Sequence, residues 1–100
     1  MSIMHFMPKL TEFLRNNGTI YTMREYKYST KEAMVPSIGK VKRTLINVFE
    51  NINFDPSKLN DYVPLSGFNT TEEWIKVLNS FIRGRDVSIF LYKVEIVKGE

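Results

Sequence analysis

The chain has 100 residues, 43% hydrophobic and 25% charged, the composition of one globular domain rather than of a disordered segment. It has no cysteine, which removes disulfides, thiolate metal sites and cysteine nucleophiles together. The net charge of +3 is uneven: residues 15–43 carry seven basic side chains against two acidic ones, and residues 44–100 six against eight. That asymmetry fits an anionic partner for the first part, and it equally fits a mixed surface with no such partner.

In chain order, the apolar residues at the start form no sustained run, and Lys9 and Arg15 follow rather than precede them. Neither a signal peptide nor a membrane span is expected, and a cytoplasmic location is the simplest expectation. Phe6, Leu10, Phe13 and Leu14 fall at helical spacing, with Pro8 where a first turn tolerates it and "NNG" at 16–18 as a stop. Residues 19–28 alternate, predicting a strand with Ile20, Thr22, Arg24, Tyr26 and Tyr28 on one side and Thr19, Tyr21, Met23, Glu25 and Lys27 on the other. Residues 29–37, ending in "VPS", are expected to be loop. "GKVKRTLINVFENI" predicts a second strand, with Val41, Leu45 and Phe49 facing one way.

Residues 53–68 contain Pro56, Pro64 and Gly67 and predict a loop with one helical turn around residues 57–62. "NTTEEWIKVLNSFIRG" is the clearest helix, capped by Asn69 or Thr70, with Trp74, Val77, Leu78 and Phe81 as its apolar stripe and Gly84 at its end. "DVSIFLYKVEIVKG" predicts a long last strand, apolar on both faces from Ile89 to Tyr92 and therefore central in its sheet. The fold class that follows is α+β: a small closed or half-open β-barrel flanked by short helices.

Little in the chain supports catalysis or cofactor binding. His5 is the sole histidine, so no metal site is expected, and the five glycines are too scattered for a phosphate loop. Glu72 and Glu73 are adjacent in the first turn of a helix, where free N–H groups and the dipole account for them. Trp74 lies on an apolar stripe and is expected in the core. What remains is a basic and aromatic set: Tyr21, Thr22, Arg24, Tyr26, Lys27, Tyr28, Lys31, Lys40, Lys42 and Arg43. Arginine and lysine contact phosphates and tyrosine rings stack on splayed bases, which is how single-stranded nucleic acid is held.

The order of these features resembles the ASCH domain, a branch of the PUA-like β-barrel superfamily. The similarity rests on Phe6, Pro8, Leu14 and Gly18, on the T-x-R of Thr22, Met23 and Arg24, on "SGFNTTEEWIKVL", and on the alternating "VSIFLYKVEIV". It spans nearly the whole chain and implies one PUA-like domain over residues 1–100, with a cleft beside the T-x-R strand and an RNA-related ligand. Some small ASCH proteins are amidohydrolases that deacetylate an acetylated cytidine with a lysine, a threonine and a glutamate. The threonine matches Thr22, but the lysine position holds Thr19 and the glutamate position Ser66. Neither side chain titrates near neutrality, so that chemistry lacks its base and acid.

The expectation is therefore a non-catalytic module binding RNA or a nucleotide without cofactor. Thr22 and Arg24 point into the cleft, Tyr26 or Tyr28 stacks, and Lys40, Lys42 and Arg43 hold the backbone. A modified-nucleoside amidohydrolase is the alternative, and a protein-interaction or regulatory module the third class.

Overall fold

The computed structural model describes residues 2–98. Seven regular elements follow one another: β1 (Ser2–Ile3), α1 (Pro8–Asn17), β2 (Thr19–Arg24), β3 (Glu32–Val35), β4 (Gly39–Phe49), α2 (Thr71–Ile82) and β5 (Ile89–Ile96). Two 3-10 turns, Pro56–Leu59 and Val63–Leu65, lie in the loop before α2. The five strands form one mixed sheet in the order β1-β3-β4-β5-β2, parallel only between β1 and β3.

The first helix forms where its signals place it. Pro8 occupies the first turn and Gly18 closes it at φ 76°, its N–H donating to the Leu14 carbonyl. In α2, Thr70 accepts the Glu73 N–H through its hydroxyl at 3.1 Å, and Glu73 accepts the Asn69 N–H at 3.0 Å, a reciprocal cap displaced by one residue. Thr70→Ala is expected to cost about 1 kcal/mol. A urea midpoint unchanged from wild type would show that packing alone holds the first turn.

Several details differ from the sequence expectations. β2 stops at Arg24, because Glu25 turns away to pair with Arg85 and Tyr28 turns back over the sheet against Tyr92. The segment expected to be loop at 29–37 contains β3, with Pro36 immediately beyond its end. In β4 a bulge between Leu45 and Asn47 shifts the register, so Phe49 does not share a face with Val41. It is buried against Phe54 instead, ring centroids 4.0 Å apart. On α2 the buried stripe is Trp74, Leu78 and Ile82, while Phe81 is 59% exposed. Gly84 follows the true terminator, Arg83, which adopts the left-handed conformation. The last strand occupies a central position between β4 and β2 as expected, although Gly99, which ends its predicted span, lies outside the described residues.

One core joins Leu10 and Leu14 of α1 and Trp74, Leu78 and Ile82 of α2 to the sheet. Ile20, Val41 and Val94 align across one face, and Met23, Ile89 and Leu91 lie on the other, so both faces are covered. β1 and β2 are the two edges and do not pair with each other. They are linked through a side chain: Arg24 of β2 donates to the carbonyl of His5, two residues beyond β1, at 2.9 Å. Among the described residues no helix is long and apolar enough to cross a membrane.

Candidate functional site

The position of β2 at an edge decides the geometry of the site. Its ladder with β5 runs through the hydrogen bond from Ile96 N–H to the Gly18 carbonyl at 2.9 Å. Antiparallel pairing alternates, so the main-chain groups of Ile20, Thr22 and Arg24 turn toward β5 and those of Tyr21 and Met23 turn to the open side. A cleft of about 480 Å³ runs along that open side. Its walls are the segment His5–Met7, β2 with Glu25 and Tyr26, Ser66 and Phe68 from the long loop, and Trp74, Val77, Leu78 and Phe81 from α2.

The lining is mostly apolar and rich in rings. Trp74, 3% exposed, lies nearly parallel to Phe68 at 6.3 Å, while Tyr21 meets Tyr62 edge-on at 4.9 Å. Lys9 stands over the Phe68 ring, its Nζ 4.9 Å from the centroid, but is not among the residues lining the cleft. Gly67 holds the loop in place at φ 84°, where a Cβ would sit 2.5 Å from Leu10 Cδ2. Gly67→Ala is expected to cost about 1–2 kcal/mol from the backbone alone, with Leu10 displaced toward the cleft. An unchanged denaturation midpoint would contradict that packing.

Arg24 is the main polar feature of the walls. Its Nε donates to Thr22 Oγ1 at 3.2 Å and its Nη2 to the His5 carbonyl, while Cζ lies 4.6 Å over the Phe6 ring. Burial pushes the guanidinium below its ordinary pKa; the nearby Tyr28 hydroxyl opposes this and the positive charge of Arg43 adds to it.

The other predicted site residues scatter. Tyr21, Thr22, Arg24 and Tyr26 line the cleft, with Tyr26 65% exposed at its mouth. Lys27 is exposed and outside it. Tyr28 is half-buried and faces the sheet rather than the cleft, donating its N–H to the Tyr92 hydroxyl at 2.8 Å. Lys40 and Lys42 point to the face opposite Thr22 and Arg24. There Lys40 pairs with Glu32 at 3.0 Å, and Lys42 stands between Glu32 and Glu95 in the strand register.

Arg43 is only 2% exposed. It donates to the Thr30 carbonyl, the Thr30 hydroxyl and Ser2 Oγ at 2.8–3.0 Å and stacks 3.7 Å above the Tyr28 ring. It is an interior brace, not a surface contact for a phosphate backbone. The three cations expected to hold a backbone therefore do not share a surface with the cleft.

Thr19 and Ser66 stand where the sequence resemblance would expect the lysine and glutamate of a hydrolase. The Ser66 hydroxyl donates to the Val63 carbonyl at 2.8 Å and accepts the Phe68 N–H at 3.1 Å, a loop-fixing role. Glu25 is the only carboxylate lining the cleft among the described residues, and it is paired with Arg85. No group of three His, Asp or Glu side chains among the described residues could hold a metal ion. No family model, no curated protein and no solved structure matches the chain.

Proposed function

We propose that the chain is a small PUA-like, ASCH-type module that binds RNA or a nucleotide by holding one base in the cleft along β2, without catalysing a reaction on it. The observation that carries this is the combination of nearly parallel aromatic rings at Phe68 and Trp74 with a half-buried guanidinium at Arg24, unpaired by any carboxylate of the described residues, on the same cleft. A splayed base needs an apolar slot and a few fixed polar partners. The apolar walls supply the slot; Arg24, Thr22 and the open main-chain groups of Tyr21 and Met23 supply the partners. The order of motifs along the chain supports the PUA-like assignment, while the sheet itself is open rather than closed into a barrel, its edges linked only through Arg24 and the His5 carbonyl.

The hydrolase alternative lacks a base. Thr22 Oγ1 already accepts from Arg24, Glu25 is engaged by Arg85, and Ser66 is committed to its loop. Deacetylation of acetylated cytidine, lost on Thr22→Ala, would overturn the non-catalytic reading.

Binding of a short single-stranded RNA, followed by anisotropy across salt, tests the proposal. Because Lys40 and Lys42 lie away from the cleft, the salt slope is expected to be shallow, about −0.7 to −1.4, equivalent to one or two phosphates. Lys40→Ala and Lys42→Ala are expected to leave affinity unchanged. No binding at low salt would sink the proposal. A steep slope that falls on removing these lysines would move the interface to β4.

A further inference from the structure

Two guanidiniums, Arg43 buried and Arg24 half-buried, have no counter-charge among the described residues. Arg24 and Arg43 project from the same face of the sheet, opposite Phe90 and Val94 of β5. The Tyr28 ring lies against one, 3.7 Å from Arg43 Cζ, and its hydroxyl is close to the other. The described residues form four ion pairs, Arg15–Glu12, Lys40–Glu32, Arg85–Glu25 and Lys93–Glu95, and none includes Arg24 or Arg43. Arg43 Nη1 is in addition a buried donor with no partner. Buried charges are ordinarily paired, because a cation–π contact replaces only part of the hydration lost. The nearby carboxylates are engaged by more exposed cations, and the interior keeps a net positive charge.

We infer that the ligand of the cleft is an anion: a flat, apolar body bearing a phosphate or carboxylate group that pairs with Arg24. This rests on the base-binding reading and adds the charge of the bound group. Arg24 lines the cleft with no carboxylate paired to it among the described residues, whereas Arg43 stays behind Tyr28 and reinforces the positive potential. An oxyanion beside Arg24 neutralises a charge that the fold leaves exposed to low dielectric, so the pairing gains more than it would in water. The open N–H groups of Tyr21 and Met23 add neutral donors along the same edge.

Titrations of the full chain with cytidine, cytidine 5′-monophosphate and orotate at one ionic strength test the inference, with Trp74 emission as the readout. The nucleotide, orotate or both are expected to bind at least about tenfold tighter than cytidine. A gain for the nucleotide alone assigns a phosphate, and a gain for orotate alone assigns a carboxylate. Arg24→Gln should bring all three to one affinity, while Arg24→Lys, which keeps the charge, should retain a preference for the anions. Cytidine binding as tightly as both anions would overturn the inference and leave the base-binding reading standing. An anion preference that survives in a folded Arg24→Gln would overturn the assignment to Arg24. Failure of all three, together with single-stranded RNA, would overturn the base-binding reading itself.

Discussion

Replacing Trp74 with alanine is expected to lower the unfolding free energy by about 3–5 kcal/mol. The indole is 3% exposed, stacks on Phe68, and belongs to the core that ties α2 to the sheet. Its removal takes away a large apolar area and leaves a space beside a cleft that is already present, so water enters rather than the walls closing. For a domain whose whole stability is of order 5–15 kcal/mol, that is a substantial share. Trp74→Phe keeps a ring against Phe68 and should recover most of the loss. Urea denaturation followed by circular dichroism measures both. A loss below about 1 kcal/mol for alanine, within the range of an ordinary surface change, would mean that the indole is a cover on the cleft rather than part of the core.

Arg24→Gln is expected to act on binding instead. A charge-assisted hydrogen bond contributes about 1.5–3 kcal/mol, so affinity for the ligand should fall roughly ten- to hundredfold. Stability should change little, because two effects oppose each other. The substitution loses the bonds to the His5 carbonyl and Thr22 Oγ1 and the contact with Phe6. It also removes a desolvated charge that no carboxylate compensates. A variant that unfolds as readily as Trp74→Ala would show that Arg24 is mainly the tie between the sheet edges. A folded variant with wild-type affinity would show that the ligand contacts something else.

The elements legible in the sequence are those with strong local signals. Pro8 and Gly18 bound α1, Thr70 caps α2, and the doubly apolar run Ile89–Tyr92 gives β5 its central place. β3 was not legible, because four residues before a proline carry no period strong enough to outweigh the loop composition around them. The bulge at Leu45–Asn47 was hidden for a different reason: alternation continues through an extra residue, and only the partner strand reveals the shift.

The site divided in the same way. Thr22 and Arg24 stand out in the sequence through the T-x-R pattern, and both line the cleft. The candidate set drew on both sides of β2, naming Tyr21 and Lys27 beside Thr22 and Arg24, but it left out Met23. Tyr21 and Met23 reach the cleft together with Thr22 and Arg24, since an edge strand presents side chains from both faces to its open side. Phe6, Phe68 and Phe81 come from three distant segments, and no local pattern joins them. Arg43 was read as a surface cation because charge argues for exposure. Its burial depends on Ser2, Tyr28 and Thr30, whose convergence is a tertiary fact.

Trp74 is the only tryptophan of the chain and lines the cleft, so its emission reports occupancy of that site directly. The decisive measurement follows tryptophan fluorescence and the anisotropy of a labelled single-stranded RNA in the same titration. A base held between the cleft walls predicts a saturable change in emission whose midpoint coincides with that of the anisotropy. Saturable anisotropy with constant Trp74 emission would place the nucleic acid elsewhere on the protein and contradict the assignment of the cleft.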